Sequence, residues 1–423
     1  MNIVFVIFQT GNQANGGVES ITQVIEHSPH LRSQVVTQLD TPLIERWRAA
    51  GAAVTLWSLP YPIGTGLFHN RLMGTWRRFT SLVSTNLQMY RLVRQTQATI
   101  AHLNDPSAFW HSVFGAKLAG AAVVFNIRDT KAADEPYGLK WAIAVWLSTC
   151  LLVLSQEMRE SLLAALPAAR RQPSKIRVIY SIVNSDVLQP VSAEARAHLR
   201  QRLGIPPDAI AVGDVATLNA KKAQLTLLEA AGAQLQQAIP NLQFYFIGDC
   251  EPEKNDYARQ CLAAVERLGL AATFHFTGYT PAVADWYRAL DMVVVASRKE
   301  GLARCMIESL ACGTPVVFFA VCSAREILEQ FDCGRVVPEG DYDGLTTAIA
   351  TLARQPELRS QLGRNGVEAV KRCFQPEAIA HDYVQLYQAL TPAPSGLPRT
   401  LTDRAAPNPR GQAGNLSPSE SAH

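Results

Sequence analysis

The chain has 423 residues, 48% hydrophobic and 18% charged, which suffices for two domains with large cores and excludes a disordered chain. The formal net charge of +3 is too small to argue for nucleic acid as a partner. Eight cysteines, at 150, 250, 261, 305, 312, 322, 333 and 373, form no C-x-x-C pair and no zinc-like cluster with histidine, so no metal site is read and reduced thiols of a cytosolic protein are expected.

The N-terminal segment MNIVFVIF lacks a basic region and a small-residue cleavage site, so it reads as a buried first strand and not as a signal peptide. Further short apolar runs follow at 35–39, 53–57, 99–103, 122–127, 151–155 and 176–179. A second series lies at 209–216, 242–248, 272–278, 292–297, 315–319 and 334–337. Continuous apolar strands separated by longer amphipathic segments imply parallel sheets covered on both faces. Two such series predict an α/β chain with two doubly wound domains, 1–185 and 186–375, where the pattern lapses near VNSDVLQPVS. An amphipathic helix is expected over 376–390, crossing back to the first domain, and a disordered Pro/Gly/Ser-rich tail over 391–423.

Several segments of the first half are candidates for function. Gly16-Gly17 follows the first strand. Residues 61–100 hold Arg71, Arg77, Arg78, Arg91 and Arg94 with no acid, interleaved with Trp76, Phe79, Leu82 and Val83. That pattern fits an interfacial helix over 70–94 meeting anionic lipid, or equally a basic solvated helix packed on the domain. His102 and His111 flank LNDPSAFWH and are candidate ligand-facing groups; Asn104 and Asp105 either face the cleft or make a turn before Pro106. Arg128 is a candidate anion ligand or a buried partner for Asp129. The uncharged run Trp141–Ser155 is too short to span a bilayer comfortably and reads as a buried helix leading into a strand.

Ligands of open parallel sheets sit beyond the carboxyl ends of the strands, so functional residues should follow strands. Ser297 to Glu300 follow the strand MVVVA, and Ala303 to Ala311 read as a helix stopped by Cys312-Gly313-Thr314-Pro315. A helix N-terminus there offers backbone N–H groups and a positive dipole end to a sugar diphosphate. Glu300 precedes the helix and Glu308 lies along it, and carboxylates accept from sugar hydroxyls. Asp341-Tyr342-Asp343 forms a D-x-D, but its place before a helix makes Asp341 an N-cap.

The string SRKEGLARCMIESLACGTPVV at 297–317 resembles the E-x7-E signature of retaining glycosyltransferase family 4, which has the GT-B fold. ATLNAKK at 216–222, FIGD at 246–249, FTGYTPAVADWYRAL, CGRVVPEGDYDGLTTAI and YVQLY resemble further family segments in the family's order. The likeness spans nearly all of 205–390; in the first half, Gly16-Gly17 and the hinge VIYSIVNSDVLQP resemble it more loosely. It implies two Rossmann-like domains facing across a cleft and a nucleoside-diphosphate sugar as donor. It gives Lys222 the diphosphate, Glu300 the donor sugar, Glu308 the ribose hydroxyls, and Gly301, Leu302, Arg298 and Gly248 places in the donor site. Lys222 and Glu300 would be the catalytic pair; Gly16, Gly17, His102 and Arg128 would face the sugar or the acceptor. The expected enzyme needs no cofactor or metal and acts on a hydroxyl of a glycan or lipid-linked acceptor, in the cytoplasm or on the cytoplasmic face of a membrane.

The sequence departs from the family in places. Thr217 stands where an arginine is usual, Ala296 where a proline is common before the serine, and Arg128 where a histidine is frequent. Arg298 or Arg304 is a candidate to replace the missing guanidinium. The departure at Thr217 leaves a nucleotide-sugar-binding protein without turnover as an alternative, and the two-domain shape leaves a sugar-nucleotide epimerase.

Overall fold

The computed structural model describes residues 1–9, 16–59, 71–128, 137–184, 187–321 and 323–391; the tail expected over 391–423 lies outside them but for Thr391. All thirteen apolar runs are strands. In the first half they are β1 (Asn2–Val6), β2 (Arg32–Thr37), β3 (Ala53–Leu56), β4 (Ile100–Leu103), β5 (Ala122–Asn126), β6 (Cys150–Val153) and β7 (Ile176–Val178). They make a seven-stranded sheet in the order β3-β2-β1-β4-β5-β6-β7, with every pairing parallel. The helices between them are α1 (Gly16–Glu26), α2 (Leu43–Ala49), α3 (Arg71–Thr96), α4 (Pro106–Leu118), α5 (Leu139–Leu147), α6 (Gln156–Ala165) and α7 (Pro167–Arg170).

The second half repeats the plan. Its strands are β8 (Ile210–Val215), β9 (Leu242–Ile247), β10 (Phe274–Gly278), β11 (Met292–Val295), β12 (Val316–Phe319) and β13 (Gly334–Val337). They form a six-stranded parallel sheet in the order β10-β9-β8-β11-β12-β13. Its helices are α8 (Ala193–Arg202), α9 (Gln224–Ala238), α10 (Asp256–Arg267), α11 (Val283–Ala289), α12 (Arg304–Ala311), α13 (Ala324–Leu328), α14 (Tyr342–Arg354) and α15 (Pro356–Cys373). The chain then returns: α16 (Pro376–Leu390) packs beside α1, and Tyr387 reaches His102 of the first sheet. This is the GT-B architecture.

The central strands are buried along their whole length, as both-face coverage requires: β4, β6, β11 and β12 have no exposed residue. Local chemistry ends the helices where the sequence suggests. Asp105 caps α4, its Oδ1 accepting from the Ser107 and Ala108 amides at 2.7 and 2.9 Å, which resolves it as a turn residue. Asp341 caps α14 through the Gly344 amide at 2.8 Å. The reading of Trp141–Ser155 as a buried helix is corrected in part: α5 buries Ala144, Val145 and Leu147 but exposes Leu139, Ile143 and Trp146 on its outer side. Among the described residues no helix is long and apolar enough to cross a membrane.

Candidate active site

Strand order reverses between β1 and β4 in the first sheet and between β8 and β11 in the second. A crevice opens at the carboxyl ends of strands at such a switch point, because the crossovers leave it to opposite faces. In the second sheet the loop after β8 carries Lys222 and the loop after β11 carries Glu300. The two loops are tied together by the Arg298 amide, which donates to the Lys221 carbonyl at 3.0 Å. As a result the Lys222 Nζ lies 2.5 Å from the Glu300 Oε1, with both side chains largely buried. Burial works against the Lys222 charge, but Glu300 outweighs it and holds the ammonium above the ordinary lysine range. Asp214, on β8, completes this group. Burial pushes its carboxyl up to about 7, against the pull of Lys222 and Gln224.

Glu308 lies just over one turn along α12, whose N-cap Ala303 supplies no side-chain cap, leaving the helix N-terminus to face the crevice. The Tyr287 hydroxyl donates to Glu308 Oε2 at 3.0 Å, and Arg304 donates to Oε1 from Nε and Nη2 at 3.1 and 2.9 Å. The remaining Arg304 nitrogen, Nη1, donates to the Ile182 carbonyl in the connection between the sheets at 2.8 Å. Three of about four carboxylate acceptor directions are thus filled by groups that fix its orientation.

Two glycines sit where the facing loops touch. A Cβ on Gly301 would lie 1.8 Å from the Arg128 carbonyl oxygen, and a Cβ on Gly16 would lie 2.6 Å from Arg304 Cδ. Gly16 opens α1, the first helix after β1, with Gly17 in the same first turn. Gly248 plays a similar part within the second sheet, since its Cβ would fall 2.0 Å from the Ala216 carbonyl oxygen. Leu302 is buried beside Gly301. Arg128 approaches from the first sheet, its Nε and Nη2 donating to Asn104 Oδ1 at 3.2 and 2.9 Å; Asp129, offered as its alternative partner, lies outside the described residues.

Other expectations need correction. His102 does not face the cleft. It is fully buried on β4, its Nδ1 2.9 Å from the Tyr387 hydroxyl and its ring among Phe5, Tyr383 and Tyr387. Burial, aided by the Arg128 charge, pulls its pKa down to about 3. His111 is half-buried, 3.0 Å from Thr85 Oγ1. Of the two candidate substitutes for a guanidinium at 217, Arg304 is engaged by Glu308 and Ile182, and the exposed Arg298 acts electrostatically on Tyr342 of α14. The Thr217 hydroxyl itself accepts from Asn219 Nδ2 at 3.0 Å.

The sequence reading passed over Tyr287 and Asp214. An acid inside the apolar run AIAVGDVA was the available signal for Asp214, because a buried strand admits a charge only for a reason. Nothing local marks Tyr287, whose bond to Glu308 joins α11 to α12. Among the described residues, no three His, Cys, Asp or Glu side chains cluster as a metal site would need.

Residues 195–369 match the family model "Glycosyl transferases group 1". The "Putative glycosyltransferase EpsD" of Bacillus subtilis (strain 168) is 29% identical over 319 residues, covering 72% of this chain and 81% of that protein. The D-inositol 3-phosphate glycosyltransferase of Kribbella flavida is 30% identical over 225 residues, so the chain spans about half the length of that relative, 52%. Among solved structures, Anabaena Alr3699/HepE in complex with UDP superposes with a TM-score of 0.75 at 18% identity, covering 92% of this chain and 100% of that one. The same protein is also known in complex with UDP-glucose.

Proposed function

We propose that this chain, a member of the glycosyl transferases group 1 family, moves a sugar from a nucleoside-diphosphate donor to a hydroxyl of a glycan or lipid-linked acceptor, with retention at the anomeric carbon. One observation carries the reading. Lys222, Glu300 and Glu308 converge with the N-terminus of α12 at the β8/β11 switch point, opposite the first sheet. HepE, of the same fold, is known in complex with UDP and with UDP-glucose, which supports the donor class.

In this reading the uncapped end of α12 and the Lys222 ammonium receive the diphosphate. Negative charge builds on the leaving phosphate oxygen as its bond to the anomeric carbon breaks, and a fixed cation with aligned N–H groups stabilises it without reorganising. Glu300 holds the ammonium in place and presents its other oxygen to the donor sugar. Glu308 receives the ribose hydroxyls, which take its remaining acceptor direction and share those used by Arg304. The acceptor oxygen bonds the anomeric carbon on the face the phosphate leaves, and its proton passes to the departing phosphate oxygen. These groups supply the charge stabilisation from the protein itself, so the reading calls for no metal.

Replacing Glu308 tests it. Glu308→Ala should weaken nucleotide binding by roughly 1–3 kcal/mol, the scale for hydrogen bonds to a charged group. Calorimetric titration of wild type and variant with UDP and GDP reads this directly. Equal affinity in a folded variant would remove Glu308 from the ribose. Thr217 favours one second reading, a protein that binds the nucleotide sugar without transfer; donor binding with neither hydrolysis nor transfer to any acceptor would establish it.

A further inference from the structure

The outer layer of the first domain is unusual in a way that the donor site does not explain. Helices α3 and α4 pack against each other on one face of the sheet, and α5 lies on the same face. Asn86 of α3 binds α4, its Oδ1 accepting from the Phe114 and Gly115 amides at 2.9 and 3.0 Å and its Nδ2 donating to the Trp110 carbonyl at 3.0 Å. The two helices approach so closely that a Cβ on Gly115 would lie 1.9 Å from the Asn86 carbonyl oxygen. Phe109 of α4 and Trp141 of α5 both pack on Phe125 of β5, with ring centroids 4.3 and 6.0 Å away.

Each helix turns a stripe of apolar side chains outward. On α3 these are Phe79, Val83, Leu87 and Tyr90, at spacings of four, four and three residues, which follow one helical face. On α4 they are Phe114 and Leu118, and on α5 Leu139, Ile143 and Trp146. Exposure reaches 79% at Leu118, 77% at Leu139 and 69% at Trp146, values that water alone does not favour on one face of a domain. The same three helices contain no aspartate or glutamate, while Arg91, Arg94, Lys117 and Lys140 are exposed on them.

We infer that the α3–α4–α5 layer docks this protein on an anionic lipid bilayer. Apolar and aromatic side chains enter the boundary between headgroups and acyl chains, and the flanking cations stay at the headgroups. The charge distribution selects this occupant. A second copy of the chain packed face to face would set the same cations against one another, whereas anionic headgroups complement all of them. The surface extends the part of the basic segment that carries Arg91 and Arg94 to three helices. It also places the N-terminal ends of these helices, at the carboxyl edge of the strands, beside the cleft. The inference rests on the surface alone and not on the donor assignment.

Co-sedimentation with vesicles tests it, using the full chain. Vesicles of phosphatidylcholine with about one-third phosphatidylglycerol should carry the protein down, and vesicles of phosphatidylcholine alone should not. Raising salt should release it, because exposed charges are screened beyond about 10 Å at 0.1 M. Arg91→Glu with Arg94→Glu should weaken binding at least about tenfold, the scale of two or more charge contacts. Leu118→Glu with Trp146→Glu should abolish it while leaving the far-ultraviolet circular dichroism and a cooperative thermal unfolding transition in place, which shows that the variant is folded. Absence of binding to the anionic vesicles overturns the proposal, as does equal binding by the variants. A dimer in solution that Leu118→Glu with Trp146→Glu converts to monomer, without any vesicle binding, would assign the layer to a second copy and overturn it as well.

Discussion

Asp214 is the residue whose ionisation most directly links the site to stability. It sits on β8 among buried neighbours, close enough to Lys222 and Glu300 to feel both charges. Burial raises its pKa to about 7, from an unfolded value of about 3.9. Between those two values the folded protein keeps a proton that the unfolded chain releases, so stability present at low pH is lost as pH rises through about 7. Asp214→Asn should flatten this part of the pH–stability curve between roughly pH 4 and 7. Urea unfolding at intervals across that range, wild type against variant, reads the slopes, and an identical slope would show that Asp214 is charged throughout. The contrast with His102 is instructive. Both are ionisable groups on buried strands, but His102 meets the Tyr387 hydroxyl through Nδ1 and packs among aromatic rings, whereas Asp214 borders the Lys222–Glu300 pair.

At the level of elements, the second domain is fastened at the end of its sheet away from the cleft. Asp291, just before β11, accepts from Arg196 Nη2 at 2.9 Å, from Arg200 Nη1 at 3.2 Å and from the Ala211 amide at 2.8 Å. Arg359 of α15 lies 3.7 Å away. One carboxylate therefore ties α8, β8, β11 and α15, and both Asp291 and Arg200 are more than nine-tenths buried. Removing it would strand buried guanidinium groups, so Asp291→Ala should cost about 3–5 kcal/mol of stability. Denaturant titration followed by tryptophan fluorescence measures it, and a loss under about 1 kcal/mol would class the cluster with exposed ion pairs. Such long-range ties are what the sequence conceals. The strands were legible because full burial writes them as unbroken apolar runs such as MVVV and VVFF. The donor loop was legible because Glu300, the turn and Glu308 are neighbours in sequence, so their pattern survives in one short string. Tyr287 on Glu308, Arg304 on Ile182 and Tyr387 on His102 join segments 21, 122 and 285 residues apart, and no local pattern records them. The outward stripe of α5 was missed for a related reason: LKWAIAVWL is apolar all round, so composition alone could not tell its covered side from its open one.

Across the whole molecule the two sheets are joined by a reciprocal pair of helix caps. The Glu326 carboxylate, in the first turn of α13, accepts from the Gln156 and Glu157 amides at the start of α6, each at 3.1 Å. Glu157 returns the contact, its Oε1 accepting from the Glu326 amide at 3.0 Å. Tyr180 adds its hydroxyl to Glu326. Each carboxylate thus lies at the positive end of the other domain's helix, which lets two like charges sit close together. Burial raises the Glu157 pKa, and the Glu326 charge adds to that rise. This latch acts beside the contacts of Gly301 with Arg128 and of Arg304 with Ile182, so together they hold the cleft in the arrangement that brings the donor loops against the first domain. Glu326→Ala removes the acceptor for two amides and for Tyr180, a loss of roughly 1–3 kcal/mol borne by the closed state alone. The closed-to-open ratio should then fall by about one to two orders of magnitude. Small-angle scattering should show a larger radius of gyration, and hydrogen exchange should quicken at 156–158 while the β11 amides keep their protection. Glu326→Gln keeps one acceptor oxygen and should fall between the two. If Glu326→Ala leaves both the radius and the exchange at the start of α6 unchanged, the domains are held by the glycine contacts and the hinge, and the caps only trim their fit.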